Sequence, residues 1–309
     1  MSESREVFAA QDLSEGGEIF RRLNPPARLA IFGDPVAHSA SPPMHNAALR
    51  EQHHKLQYVR ILVKPEELSE ALRNLSSADF IGTSLTIPHK QAALALIDEI
   101  TPEAKLMGAI NTVAVRDGKL HGYNTDGLGF VAAFHEEFST GLRDKNILIL
   151  GGAGGAGRAI AVQCLIEGGI PSIANRNKSK GDLLKALIDQ EWDDYAGILK
   201  SLDMSQETLA AALKSTEVII NATPLGMKAD DSSPLPDGLL NADHIVYDTI
   251  YSGGETALLR QALFAGAKCA NGFSMLLHQG VLQNAIWFGE PAPLETMRIA
   301  LTSLKGTTS

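Results

Sequence analysis

Asn146-Ile147-Leu148-Ile149-Leu150-Gly151-Gly152-Ala153-Gly154-Gly155-Ala156-Gly157-Arg158 is the stretch that decides the fold. Residues 146–150 read as an apolar strand, and 158–167 as the helix that follows the glycine-rich turn at once. Glycines there permit a tight turn and close backbone approach to a pyrophosphate, and the helix N-terminus offers free N–H groups and partial positive charge to it. A G-x-G-x-x-G pattern alone is a weak sign; between an apolar strand and a helix it marks a dinucleotide site. Gly168-Gly169 stops the helix. Beyond it strands and helices alternate: a strand ending at 173–175, helices at 182–190 and 206–214, strands at 218–221 and 245–248, and late helices at 256–265 and 275–288. Such alternation implies a parallel sheet covered on both faces.

The second strand of this run ends in Asn175-Arg176-Asn177. NAD-binding folds usually place an Asp or Glu there for the ribose 2′-hydroxyl. Its absence, with Arg176 in place and Lys180 one turn on, fits a 2′-phosphate, which Arg can bind bidentately while stacking on adenine. The plainer use of both side chains is as surface cations. The expected cofactor is NADP(H), held by Gly152, Ala153, Gly154, Gly155, Ala156, Gly157, Asn175, Arg176 and Lys180.

Upstream the pattern is less regular. Residues 1–28 are polar and irregular and read as an extension. Residues 29–32 read as a short buried strand, 42–51 as a helix, 58–63 as a strand, 65–75 as a helix with Glu66 and Glu67 in its first turn, and 80–87 as a strand. Pro88 is placed to open the next helix as its first residue. Asp117-Gly118 between 112–115 and 119–123 signals a hairpin.

With 309 residues, 44% hydrophobic and 20% charged, the chain is long enough for two domains with packed cores. Its formal net charge of -9 is spread along the chain, which speaks against nucleic acid or an anionic membrane as the main partner. Cys164 and Cys269, the only cysteines, read as reduced thiols of a cytoplasmic protein. Neither a secretory signal nor a bilayer-spanning run stands out.

Three upstream stretches carry chemistry. Ser39-Ala40-Ser41-Pro42 sets two hydroxyls beside a helix start, where they can bind a carboxylate without adding charge, or simply cap the helix. Thr86-Ile87-Pro88-His89-Lys90 puts Lys90 in a first helical turn, whose positive end disfavours an ammonium and suits a lysine that exchanges protons. Asn124-Thr125-Asp126-Gly127 puts Asp126 at another helix start, where a carboxylate is favoured. Asn111 is a further amide at the start of a strand. His38, His45, His89 and His278 have no metal-ligand spacing and read as structural or substrate-lining, so no metal is expected.

Together these stretches resemble the shikimate dehydrogenase family. The resemblance runs in order from about Leu29 into the last helix through Phe32 to Pro42, Leu85 to Lys90, Gly108 to Thr112, Asn124 to Gly127, the glycine turn with Asn175-Arg176, Ile220 to Met227, Tyr247-Asp248 with Tyr251, and Gly272 to Gln279. No single piece is decisive, but eight in order are specific. The resemblance implies an α/β fold of two domains with a cleft between them: a substrate-binding domain from 29–125 and 272–309, and a Rossmann-type doubly wound NADP-binding domain from 126–271. It implies that Ser39, Ser41 and Tyr251 hold a substrate carboxylate, that Thr86, Asn111 and Gln279 bind ring hydroxyls, and that Lys90 and Asp126 are the catalytic pair. Thr223 lines the cofactor site, and Gly272 and Met275 lie near the nicotinamide. The implied reaction is NADPH-dependent reduction of 3-dehydroshikimate to shikimate on the route to aromatic amino acids, by a monomer or homodimer.

Several positions depart from the family pattern. Ser84 stands where many members have Asn, loosening a ring-hydroxyl contact. Asn177 and Lys180 replace the usual Thr and Arg, so the preference for NADP is less strict. Ser252-Gly253-Gly254 replaces the Asn-Pro after the tyrosine, for a more flexible loop. Quinate or aminoshikimate oxidation with NAD(P) is the rival activity. A folate dehydrogenase of similar plan is disfavoured by Ser39-Ala40-Ser41, and a non-catalytic NADP-binding regulator would not need Lys90 and Asp126.

Overall fold

The stretch read as an irregular extension is built into a sheet. In the computed structural model, which describes residues 7–251 and 254–305, β1 (Val7–Ala9) pairs in parallel with β3 (Gln57–Leu62). A 3-10 turn (Ala10–Gly16) and α1 (Glu18–Arg22) follow. Phe8, Leu13 and Phe20 are buried in the main core of the sheet, with Phe20 edge-on to both Phe8 and Phe80. These apolar residues are spaced for neither a long helix nor a long strand. Tertiary burial orders them, and local periodicity could not reveal that. Residues 1–6 lie outside the described part.

The chain divides into two units, Met1–Thr125 with Leu277–Ser309, and Asp126–Leu276. The first holds β2 (Ala27–Gly33), α2 (Ser41–Glu51), β3, α3 (Leu68–Ser77), β4 (Gly82–Leu85), α4 (His89–Ala92), β5 (Glu99–Ile100), α5 (Pro102–Met107), β6 (Thr112–Arg116) and β7 (Lys119–Tyr123). Its sheet runs β1-β3-β2-β4-β6-β7-β5 and is mixed, because β6 is antiparallel to both β4 and β7. The β6–β7 hairpin turns through Asp117 and Gly118, both at positive φ (52° and 77°), as a two-residue primed turn requires. Residues 65–67 form a 3-10 turn ahead of α3, and Glu67 accepts the Lys64 N–H at 2.8 Å. β4 is shorter than the apolar run 80–87. Past Leu85 the backbone serves the loop after β2 instead: Thr86 N–H donates to Phe32 O and Asp34 N–H to Ile87 O, both at 3.0 Å.

The second unit holds α6 (Asp126–Phe138), β8 (Asn146–Leu150), α7 (Gly155–Ile166), β9 (Ile170–Ala174), α8 (Lys178–Glu191), β10 (Lys200–Leu202), α9 (Gln206–Leu213), β11 (Val218–Asn221), β12 (Ile245–Asp248), α10 (Ala257–Phe264) and β13 (Lys268–Asn271). Its sheet is β10-β9-β8-β11-β12-β13, parallel throughout. Counted from β8 this is the 3-2-1-4-5-6 order of a Rossmann fold. The strand cores are Leu, Ile and Val buried from both faces, as alternation implied. α11 (Phe273–Phe288) starts in this unit and ends in the first, since the division falls at Leu276/Leu277, inside the helix and not ahead of Gly272. α12 (Leu294–Lys305) packs on α2 in the first unit.

Candidate active site

The glycine turn after β8 is shaped by three different constraints. A Cβ on Gly152 would stand 2.4 Å from Ile173 Cγ2, and one on Gly157 2.4 Å from the Gly151 carbonyl oxygen, so both are confined to glycine by close packing. A Cβ on Gly154 would meet only that same oxygen, at 3.3 Å, and Gly154 is exposed. That open face at the start of α7 is the cradle a pyrophosphate requires, and the residues fit a dinucleotide. Asn175, read as a cofactor ligand, makes a hydrogen bond to the turn itself. Its side-chain oxygen accepts the Ala153 N–H at 2.9 Å and braces the turn from the end of β9. Arg176 and Lys180 are both exposed, and neither is ion-paired among the described residues. Asn177 caps α8, accepting the Ser179 N–H at 3.1 Å.

A buried polar cluster closes the neighbouring strand ends. Asn221 Oδ1 accepts Thr223 N–H (3.0 Å) and Oγ1–H (2.7 Å), and Asn221 Nδ2 donates to Asp248 Oδ1 at 2.9 Å. The Thr256 hydroxyl donates to Asp248 Oδ2 at 2.6 Å, and Ile250 N–H to Oδ1 at 3.1 Å. Burial raises the Asp248 carboxyl above the usual carboxylate range, against the three donors. Thr223 is thereby held against the glycine turn: a Cβ on Gly151 would lie 2.9 Å from its Cγ2. Gly272 is confined by packing, since a Cβ there would be 2.0 Å from Thr249 O. Met275 is buried, with its N–H donated to the Tyr247 hydroxyl at 3.2 Å. Tyr251 is half-buried in this unit, and 252–253, whose loop the sequence marks as flexible, lie outside the described residues.

The first unit contains a polar wall that touches the predicted substrate residues Ser41 and Asn111. Arg60 holds the Ser39 carbonyl with Nε (3.1 Å) and Nη2 (2.6 Å), and Ser39 Oγ accepts the Ser41 N–H at 3.3 Å. Ser41 hydrogen-bonds the hydroxyl of buried Tyr58, which donates to Ser84 Oγ at 2.7 Å. Ser84 donates to Gln283 Oε1 at 2.8 Å. His45, stacked on Tyr58 with ring centroids 4.5 Å apart, contacts the same oxygen through Nε2 at 3.3 Å. Burial pushes the His45 imidazole down to about 3. The Ser84 hydroxyl is thus held from two sides within the protein. Gln279 is buried on α11 one turn before Gln283. That i, i+4 pair of amides in a largely apolar helix was the available signal for Gln283.

Asn111 organises the approach to Asp126. Its Oδ1 accepts Thr125 N–H (2.9 Å) and the Thr112 hydroxyl (2.7 Å), and its Nδ2 donates to Thr125 Oγ1 (2.8 Å). Asp126 is buried as the first residue of α6. Lys90 is half-buried, but its helix differs from the expected one. Pro88 sits at the cap, not at the first helical position, and α4 is a single turn. α4 passes directly into a 3-10 turn (Ala93–Ala95), and the Lys90 carbonyl accepts the Ile110 N–H at 2.7 Å. One turn is too short for the strong helix-end field assumed for Lys90. Its position is set by neighbours: Ile110, and His89, whose buried Nε2 donates to Val63 O at 2.7 Å. Lys90 lies in the first unit, whereas Asp126 opens the second. No cluster of three or more metal-ligating side chains occurs among the described residues, and no described helix is long and apolar enough to cross a membrane.

A Rossmann sheet with an open glycine cradle, joined in one chain to a second α/β unit rich in buried hydroxyls and amides, defines a dinucleotide-dependent oxidoreductase. Comparison with known proteins makes this specific: the chain belongs to the shikimate dehydrogenase family. Residues 31–113 match the shikimate dehydrogenase substrate binding domain, and 272–302 the shikimate 5'-dehydrogenase C-terminal domain. It is 41% identical over 282 residues to the shikimate dehydrogenase (NADP(+)) of Symbiobacterium thermophilum, covering 90% of this chain and 95% of that one. Among solved structures it resembles a shikimate dehydrogenase in complex with NADP+ (36% identity, TM-score 0.84, 91% of this chain and 97% of that one). It also resembles the Thermus thermophilus enzyme in complex with NADP(H) and shikimate (34% identity, TM-score 0.78, 90% and 99%).

Proposed function

We infer that this protein is an NADP-dependent shikimate dehydrogenase, interconverting 3-dehydroshikimate and shikimate. The observation that carries this reading is the 41% identity to a shikimate dehydrogenase across nine-tenths of the chain, with the glycine cradle intact. Gly152 to Gly157 would hold the pyrophosphate, Arg176 and Lys180 the 2′-phosphate, and Thr223, Gly272 and Met275 the remainder. Bound there, the dinucleotide supplies the hydride donor or acceptor.

The chain's own groups do the rest. Ser39, Ser41 and Tyr251 bind the carboxylate; Thr86, Asn111 and Gln279 orient the ring hydroxyls. Lys90 gives a proton to the ring oxygen during reduction and takes it back during oxidation, and Asp126 orients Lys90 and the neighbouring hydroxyl. Lys90→Met should lower kcat at least about a hundred-fold, the usual worth of a general acid, while NADPH binding stays intact. Retained turnover would refute the assignment of Lys90. A steady-state comparison of shikimate and quinate, each with NADP and NAD, tests the substrate: faster turnover of quinate would overturn the reading.

A further inference from the structure

The polar wall of the first unit has a direction, and one residue sets it. Gln283 is 2% exposed. Its Nε2 lies 3.4 Å from the Asn111 main-chain oxygen. A carbonyl can only accept, so the amide nitrogen must face it and Oε1 must face the other way. Oε1 then meets Ser84 Oγ and His45 Nε2, and both must donate to it. The His45 proton is thereby placed on Nε2, leaving a bare Nδ1 that has no hydrogen-bond partner among the described residues. The Ser84 proton is committed to Gln283, and Ser84 also accepts the Tyr58 proton. Every proton on Ser84 and Tyr58 points along the chain toward Gln283.

A serine hydroxyl has one proton and two lone pairs. With its proton given to Gln283 and one lone pair used by Tyr58, Ser84 has one acceptor site left. We propose that Gln283 is a positioning residue for substrate selection: acting through Ser84, it makes this part of the wall an acceptor only, which favours a hydroxyl or amine on the substrate ring over a carbonyl or ether. An asparagine at position 84 would bring both a donor and an acceptor, so the pairing of Ser84 with Gln283 and Tyr58 is a distinct solution. The proposal rests on the reading of the first unit as the shikimate site.

The test compares the wild-type protein with Gln283→Met and Tyr58→Phe in steady-state assays with shikimate and NADP+, alongside thermal melting. Gln283→Met keeps the length and removes both hydrogen-bonding ends; Tyr58→Phe keeps the ring and removes one donor. Each should raise KM for shikimate about ten-fold, the worth of one buried hydrogen bond, with KM for NADP+ unchanged. A structural role alone would lower the melting temperature and move both constants together, and that outcome overturns the proposal, as does an unchanged KM for shikimate in folded variants. If the wild-type protein does not oxidise shikimate, the functional reading has failed instead.

Discussion

The glycine turn after β8 and the Tyr58–Ser84–Gln283 wall are built by opposite means. The turn works by omission: Gly152 and Gly157 have no room for a side chain, Gly154 leaves an open face, and backbone groups are available there. The wall works by assignment, with buried side chains whose donors are committed to one another. A site made of backbone tolerates burial and pH because nothing in it titrates. A site made of buried side chains depends on each protonation state, since an unpaired buried polar group is expensive.

The largest expected effect therefore lies in the wall, in acid. His45 is pushed by burial from 6.5 to about 3, so the unfolded chain binds a proton that the folded one refuses. That contribution to stability is complete above 6.5 and is lost as pH falls from 6.5 toward 3, reaching roughly 5 kcal/mol at the limit. Burial lowers His89 in the same sense. Urea denaturation of the wild type and of His45→Gln between pH 7 and pH 4 should show a shallower pH slope in the variant; equal slopes would show that His45 does not govern this loss.

The next contrast separates the glycines of the turn. Gly157→Ala forces a Cβ to 2.4 Å from the Gly151 carbonyl and should cost about 2–3 kcal/mol in stability together with cofactor affinity. Gly154→Ala meets that oxygen only at 3.3 Å. It should leave the melting temperature nearly unchanged while NADP+ titration by fluorescence shows weaker binding. Similar melting losses in both variants would mean that Gly154 is a packing position and not the cradle. The smallest effect belongs to Arg176→Ala: KM for NADPH should rise about ten-fold, as for loss of one charge-assisted contact, with NADH unaffected. An equal change for both cofactors would remove Arg176 from the 2′-phosphate site.

The two regions also differ in how far the sequence reveals them. The turn is local: glycines at fixed spacing between an apolar strand and a helix state their own geometry, and Arg176 follows at a set distance. The wall is assembled from residues far apart in the chain, His45, Tyr58, Ser84 and Gln283; the sequence singles out His45 and Ser84, but Tyr58 and Gln283 read as ordinary parts of a strand and a helix, and nothing local joins the four. The same reason hid the role of residues 7–22, whose Phe8 and Phe20 find their partners only in the folded sheet. At Lys90 the failure was of another kind. The local pattern read as a full helix, but after one α-turn the chain tightens into a 3-10 turn, with the Lys90 carbonyl bonded to Ile110 N–H. Asn175, expected at the cofactor, and Asn111, expected at the ring hydroxyls, also hold their own neighbours in place, Ala153 for the one and Thr112 and Thr125 for the other.

α11 carries a consequence for synthesis. The Rossmann unit is one uninterrupted stretch, whereas the first unit needs residues from 277 onward. Gln283 completes the wall, and Trp287 Nε1 donates to Val113 O at 3.0 Å between the strands it covers. A chain emerging from a ribosome can finish the second unit before the first, although the first began earlier. Until α11 is made, the sheet of the first unit waits with the Gln283 place open and the β4 and β6 strands lacking the Trp287 ring. The nascent chain thus has its Rossmann half before the other, which α11 and α12 complete.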